Sequence, residues 1–390
     1  MNRRILALAA SAMVVAAACG GSGASSGPTP LASIGAGEGA LSVLAWPGYA
    51  ENGSTDPAYN WVKPFEDATG CKTTVQVFGT SDEAFQLFTK TPDQYDVISA
   101  SGDASRRLIR GGFVQPVNVD ILSTYPDIIP ALKDKPWNTV DGVHYGIPHG
   151  RGPNLLMYNT DKISTAPTSW AALFDPAGPA AGSVSVYDAP IYIADAAVVL
   201  MSTKPELGIK NPYALDDKQF QAAVDLLKVQ RPLIKEYWTD YVKQMDSFRN
   251  GNVTMGTTWQ LQQSLMEIEK PPVPVKSLAP DTGSTGWSDT WMINSKTKHV
   301  NCAYLWLQHI TSPEINIQVA EYFGEAPANS KACALSTVEG HCDLYHATDE
   351  AYWSKVWYWS TPETTCLDGR TDVKCKGFDD WIKAWTEIKG

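Results

Sequence analysis

The strongest constraint on the fold is an alternation that runs from Ala40 to Ser101. ALSVLAW, starting at Ala40, is a short apolar run that reads as a strand. YNWVKPFEDAT, from Tyr59 to Thr69, carries apolar residues near helical spacing, and Gly70 stops it. CKTTVQVFG then alternates with the period of a strand. Asp82 to Thr89 reads as a helix, and YDVISAS as a third strand. Strand, helix, strand, helix, strand predicts a parallel sheet with helices packed on its faces.

The stretch VHYGIPHGRGPNLLMY, from Val143 to Tyr158, breaks this rhythm. It is extended, punctuated by Gly and Pro, and reads as a crossover between two domains. A second α/β region follows. GSVSVYD and VTMGTTW are strand candidates, and Asp216 to Val229 is a helix with Phe220, Val224 and Leu227 on one face. TWMIN reads as the chain returning to the first domain. Ala303 to Thr311 and Pro313 to Phe323 read as helices. The last fifty or so residues are rich in Trp and Cys and read as a segment wrapped around the body. A chain of 390 residues is too long for one small core and suits two domains.

The amino terminus places the domains outside the cytoplasm. Arg3 and Arg4 precede an apolar run from Ile5 to Val15, and Ala16 to Ala18 lead into Cys19. This is the pattern of a secretory signal ending in a small-residue cleavage site. The apolar run is shorter than the roughly 20 residues a bilayer span needs. It resembles a lipoprotein signal, in which Cys19 becomes the lipidated first residue. Residues 1–18 are then signal peptide. Residues 19–39, rich in Gly, Ser, Ala and Pro, are a flexible tether.

Net charge of −11 argues against a nucleic-acid partner. Fourteen tryptophans are more than a core needs, so some are expected to line a binding cleft. Setting Cys19 aside leaves six cysteines, an even count that reads as disulfides in an exported chain. Cys333 with Cys342 and Cys366 with Cys375 are close enough in sequence to close small loops, which leaves Cys71 with Cys302. The count alone allows fifteen pairings. A zinc site built on Cys342 with His341 and His346 is the rival, but the spacing fits no common Cys/His pattern.

Eight segments occur in an order shared with a known family. They are LAWPGY, the FEDATGCK helix end, YDVISAS followed by GGFVQPV, GIPHGRGPNLLMYN, TSWAALFDP, the GNVTMGTTW run ending in Trp259, GWSDTWMIN with Trp287 and Asp289, and AEYFGEAPAN. On these the chain resembles the spermidine/putrescine-binding proteins of ABC importers, a branch of the extracellular solute-binding proteins. The resemblance runs from Leu41 to about Asn329 and fades beyond Lys331. It implies a two-lobed α/β fold, each lobe a mostly parallel sheet flanked by helices, with ligand held between the lobes. Lobe I would be residues 40–148 with 290–330, lobe II residues 149–289, and residues 331–390 a disulfide-rich C-terminal wrap. The partners implied are a small-molecule amine, the permease and ATPase of the importer, and the membrane through the lipid on Cys19. The receptor is expected to be a monomer without metal or cofactor.

The resemblance also implies a site. A polyamine is a flexible apolar chain with cationic ends, so it calls for carboxylates at the ends and aromatic walls between. Trp46 and Tyr49 fall where the family has ligand-contacting aromatics, and Ser101 where it has a Ser. Trp259 and Trp287 match stacking tryptophans, and Asp289 an ammonium-binding Asp. Glu325 sits at a family contact position. Core packing is the alternative for each Trp, and a cap for Asp289. Three departures stand out. In YDAPIY only Asp188 is acidic and Tyr192 replaces a second acid. Asp103 occupies an aromatic position of the family. Arg151 occupies an apolar or aromatic one, and facing the cleft it would attract a carboxylate. Asp289 opposite Arg151 would suit a zwitterionic ω-amino acid such as 4-aminobutyrate. A stack of tryptophans would also suit a sugar. The sequence carries no HExxH, no G-x-S-x-G and no P-loop, so no constellation for catalysis is expected.

Overall fold

Three strands from the opening alternation pair in parallel. In the computed structural model, which describes residues 29–390, Ala40–Ala45 lies between Lys72–Val77 and Val97–Ala100. The connections are the helices Val62–Thr69 and Ser81–Lys90. Gly70 ends the first by taking a left-handed conformation at φ 73°, and the Thr80 side chain caps the second by accepting from the Glu83 amide. Thr290–Ile293 returns to this sheet antiparallel to Val97–Ala100, and Gly146–Pro148 forms the far edge.

The second lobe repeats the plan. Ile234–Trp238, Val184–Tyr187 and Met255–Thr258 are parallel, and Leu155–Asn159 and Val275–Leu278 extend the sheet antiparallel. Its helix Asp217–Gln230 starts with a capping box in which the Asp216 side chain and Gln219 each satisfy the other's backbone amide. Phe220, Val224 and Leu227 on that helix are all buried.

A third sheet joins the lobes. Its strands are Ala326–Pro327, Gly150–Pro153, Ser284–Trp287 and Val356–Tyr358, in that order. The crossover segment therefore contributes to three sheets in turn: Gly146–Pro148 in lobe I, Gly150–Pro153 in the bridge and Leu155–Asn159 in lobe II. Gly150–Pro153 and Ser284–Trp287, expected within lobe II, are strands of the bridge.

Two further expectations change. The glycine-rich segment expected to be a flexible tether up to residue 39 is fixed to lobe I at its described end. Leu31 and Ile34 pack on the core. The Gly35 amide donates to Asn301 at 2.7 Å, and the Glu38 carboxylate accepts from the Asn301 and Cys302 amides. Glycine content signalled freedom there, but backbone and acid groups find partners at the start of helix Val300–Ile310. The C-terminal region is also more than a wrap. Val356–Tyr358 is a strand of the bridge, and helix Phe378–Lys389 packs on lobe II with Phe378, Trp381 and Trp385 buried. The six cysteines lie at disulfide distance as Cys71–Cys302, Cys333–Cys342 and Cys366–Cys375. The expected leader and the lipidation site Cys19 lie outside the described residues.

Candidate functional site

Parallel strands end where their helices begin, and in both lobes those carboxyl ends meet at the cleft. Trp46 follows the first strand of lobe I and Ser101 follows Val97–Ala100. Trp259 follows Met255–Thr258 of lobe II. The indoles of Trp46 and Trp259 meet edge to face with ring centroids 6.0 Å apart. Behind them is a narrow cavity of only about 10 Å³, lined by Trp46, Ser101, Trp259, Trp287, Asp289, Phe323 and Trp359. In front of them is a larger recess of about 390 Å³, which Phe78, Glu83, Asp240, Tyr241 and Lys243 also line.

Asp289 is the charged group of the inner cavity, and a chain of hydrogen bonds fixes it. The Trp46 indole donates to Ser101 Oγ at 3.1 Å, and Ser101 donates to Asp289 Oδ1 at 2.5 Å. Tyr49 donates to Asp289 Oδ2 at 2.8 Å. Tyr49 O also lies 3.1 Å from Glu325 Oε2. One phenolic proton cannot serve two carboxylates. Burial and the nearby Asp289 charge push the Glu325 carboxyl well up. The raised carboxyl favours the protonated form of Glu325, in which the phenol can donate to Asp289 while the Glu325 contact is kept. His149 stands beside Glu325 without a hydrogen bond to it. Trp291 Nε1 donates to its Nδ1 at 2.8 Å, so its proton sits on Nε2, 3.3 Å from Glu325 Oε1. Burial pushes the His149 pKa down to about 3, so it is neutral.

Asp289 itself is 3% exposed. Burial raises its pKa to about 6, partly offset by the bonds from Ser101 and Tyr49. Among the described residues no Lys, Arg or His forms an ion pair with it. A buried carboxylate without a counter-charge costs stability unless a cation arrives. The aromatic faces around it suit such a cation. A second chain steadies the opposite wall: the Trp259 indole donates to Asn154, Asn154 to Thr285, and Thr285 to the buried Asp195.

The expected site residues divide into four groups. Trp46, Ser101, Trp259, Trp287 and Asp289 share the cavity. Tyr49 and Glu325 stand one layer behind it. Asp103 is 2% exposed, beside Ser81 and close to Tyr187, and burial raises its pKa to about 7. Its Oδ1 has no partner among the described residues.

Arg151, Asp188 and Tyr192 depart from expectation. Side chains alternate along strand Gly150–Pro153. The positions that face the cavity side are glycines: a Cβ at Gly150 would come 2.5 Å from the Glu325 carboxyl, and one at Gly152 2.2 Å from the Trp287 ring. Arg151 points the other way, into the C-terminal region. It pairs with Glu350 at 2.6 Å, donates to the Ala347 carbonyl at 3.0 Å and lies over the Trp353 ring. Asp188 is held by Lys389 at 2.6 Å and by the Trp385 indole at 3.0 Å. Tyr192 is buried against Trp385 with its hydroxyl on Gln230. All three serve contacts that no local pattern reveals. Phe323 and Trp359 complete the cavity and were not anticipated. Phe323 carried a signal, since it lies two residues before Glu325 in a segment already singled out. Trp359 carried none, because the resemblance ends before it.

The profile described as bacterial extracellular solute-binding protein matches residues 60–341. The putrescine-binding periplasmic protein of Escherichia coli is 24% identical over 328 residues, which are 77% of this chain and 85% of that one. A putrescine/agmatine-binding protein of Pseudomonas aeruginosa is 22% identical over 296 residues, 71% of this chain and 79% of that one. Among solved structures, a spermidine/putrescine ABC transporter protein of Listeria monocytogenes superposes with a TM-score of 0.72 at 20% identity, covering 90% of this chain and 99% of that one.

Proposed function

Given that this chain belongs to the bacterial extracellular solute-binding proteins, we propose that it is the lipid-anchored receptor of an ABC importer and captures a small polyamine between its lobes. One observation carries the reading: Asp289, a buried carboxylate without a counter-charge, at the wall of an aromatic cavity between the lobes. Asp289 takes one ammonium, and the indole faces cover the methylenes. The putrescine-binding relatives support the ligand class. Closure of the lobes around the amine is then the signal a permease reads, and lipid on Cys19 keeps the receptor at the membrane.

A zwitterionic ω-amino acid is the second reading. It no longer draws on Arg151, whose charge is used by Glu350. Its support is that the indole N–H groups of Trp287 and Trp359, both at the cavity wall, have no partner among the described residues. They offer neutral donors to a carboxylate. Titration calorimetry with putrescine, spermidine, 4-aminobutyrate and common sugars separates the readings. Binding of a diamine that Asp289→Asn abolishes is the expected result. Heat with sugars alone would overturn the amine assignment, and heat with 4-aminobutyrate alone would favour the second reading.

A further inference from the structure

Trp359 reaches the cavity from a part of the chain that belongs to neither lobe sheet. Strand Val356–Tyr358 runs parallel to Ser284–Trp287, and the Trp359 amide then donates to the Gly286 carbonyl at 2.7 Å. This seats the Trp359 ring at the cavity wall, stacked on Tyr187 of lobe II with centroids 5.6 Å apart and planes 18° from parallel. Its carbonyl packs on lobe I so closely that a Cβ at Gly102 would come within 1.8 Å of it. The segment after it is pinned to both lobes. Thr361 donates to the Asp103 carbonyl at 2.9 Å, and the buried Glu363 carboxylate pairs with Arg106 and Arg110 of lobe I. The loop closed by Cys366 and Cys375 carries Arg370, which pairs with Asp216 of lobe II at 2.8 Å, and the Lys376 amide donates to the Leu215 carbonyl.

We propose that residues 356–376 form a strap across the cleft, and that through Trp359 this strap sets the size of ligand the cavity accepts. The inference rests on the cavity being the ligand site. The other walls rise from the lobe strands, the bridge or the helix before Gly324. Trp359 differs from these: its backbone is held by the bridge at Gly286 and packs on lobe I at Gly102, and its ring is stacked on Tyr187 of lobe II, so packing from both lobes keeps the ring at the cavity wall. Removing it enlarges the cavity without touching Asp289 or the bonds that fix it. A diamine with a longer or bulkier body then gains room, while a short one loses the indole face on which its methylenes lie.

The test compares Trp359→Ala, Trp359→Phe and Asp289→Asn with the unaltered protein by calorimetry against putrescine, cadaverine and spermidine. Thermal unfolding of each variant checks that it folds. Trp359→Ala is expected to weaken putrescine roughly tenfold and to raise the spermidine-to-putrescine affinity ratio by a similar factor. Trp359→Phe, which keeps a ring and guards against loss of folding, should shift the ratio in the same direction by less. A ratio unchanged to within about twofold in both Trp359 variants, with Asp289→Asn abolishing binding, would overturn the strap's role and leave the amine site standing. Binding that survives Asp289→Asn would remove the cavity as the ligand site and the strap's role with it.

Discussion

At the scale of residues, the centre of the molecule is a set of hydrogen bonds that assigns one charge. Trp46, Ser101 and Tyr49 form the bonds that fix Asp289, the carboxyl at the cavity wall. Its folded-state pKa of about 6 lies above the ordinary 3.8. The ligand-free fold therefore holds its proton more tightly than the unfolded chain. The stability this confers is fully present below about pH 4 and is lost as pH rises through about 6. A cationic ligand prefers the ionised form, and an alkylamine stays protonated throughout this range, much as lysine does. Putrescine affinity is accordingly expected to rise with pH by up to about tenfold per unit below pH 6, and to level off above it. Calorimetry at about pH 5 and about pH 7.5 measures this. Affinity that is flat or falls with pH would mean that Asp289 does not meet the ammonium.

At the scale of elements, the bridge strand Gly150–Pro153 shows how backbone determines which side chain is functional. Gly150 and Gly152 allow Glu325 and Trp287 to lie against the strand, while Arg151 between them turns to Glu350. A methyl at position 152 would overlap the Trp287 ring. Gly152→Ala is expected to displace that indole, to destabilise the fold by about 1–3 kcal/mol through overpacking, and to weaken ligand binding. Gly142→Ala is the comparison: its φ of 76° costs strain, but a Cβ there meets nothing within 4 Å. Denaturant titration and calorimetry of the two variants separate the effects. Equal ligand affinity in Gly152→Ala and the unaltered protein would show that the Trp287 position does not matter to the site.

At the scale of the whole molecule, each lobe is assembled from distant parts of the chain. Lobe I joins Ala40–Pro148 to Thr290 and beyond, and Cys71–Cys302 ties the two portions across 231 residues. A cross-link that closes so long a loop restricts the unfolded chain more than one that spans nine residues. Replacing Cys71 and Cys302 by Ser is expected to cost about 2–5 kcal/mol, more than the same change at Cys366 and Cys375. Denaturant unfolding monitored by tryptophan fluorescence tests the ranking, and a larger loss from the short loop would refute it. The sequence by itself determined the elements whose signals are local. The βαβαβ order of lobe I follows from hydrophobic period and helix stops such as Gly70, and the crossover at 143–158 from its Gly and Pro. The cavity residues Trp46, Ser101, Trp259, Trp287 and Asp289 came from motif order, because the ends of parallel strands converge in any fold of this plan. Tertiary structure alone decided the rest. Arg151, Asp188 and Tyr192 are drawn from the cleft by Glu350, Lys389 and Trp385, partners 197 or more residues away for the first two. Trp359 enters the cavity for the converse reason. A side chain's surroundings are set by which distant segment packs against it, and no local spacing encodes that segment.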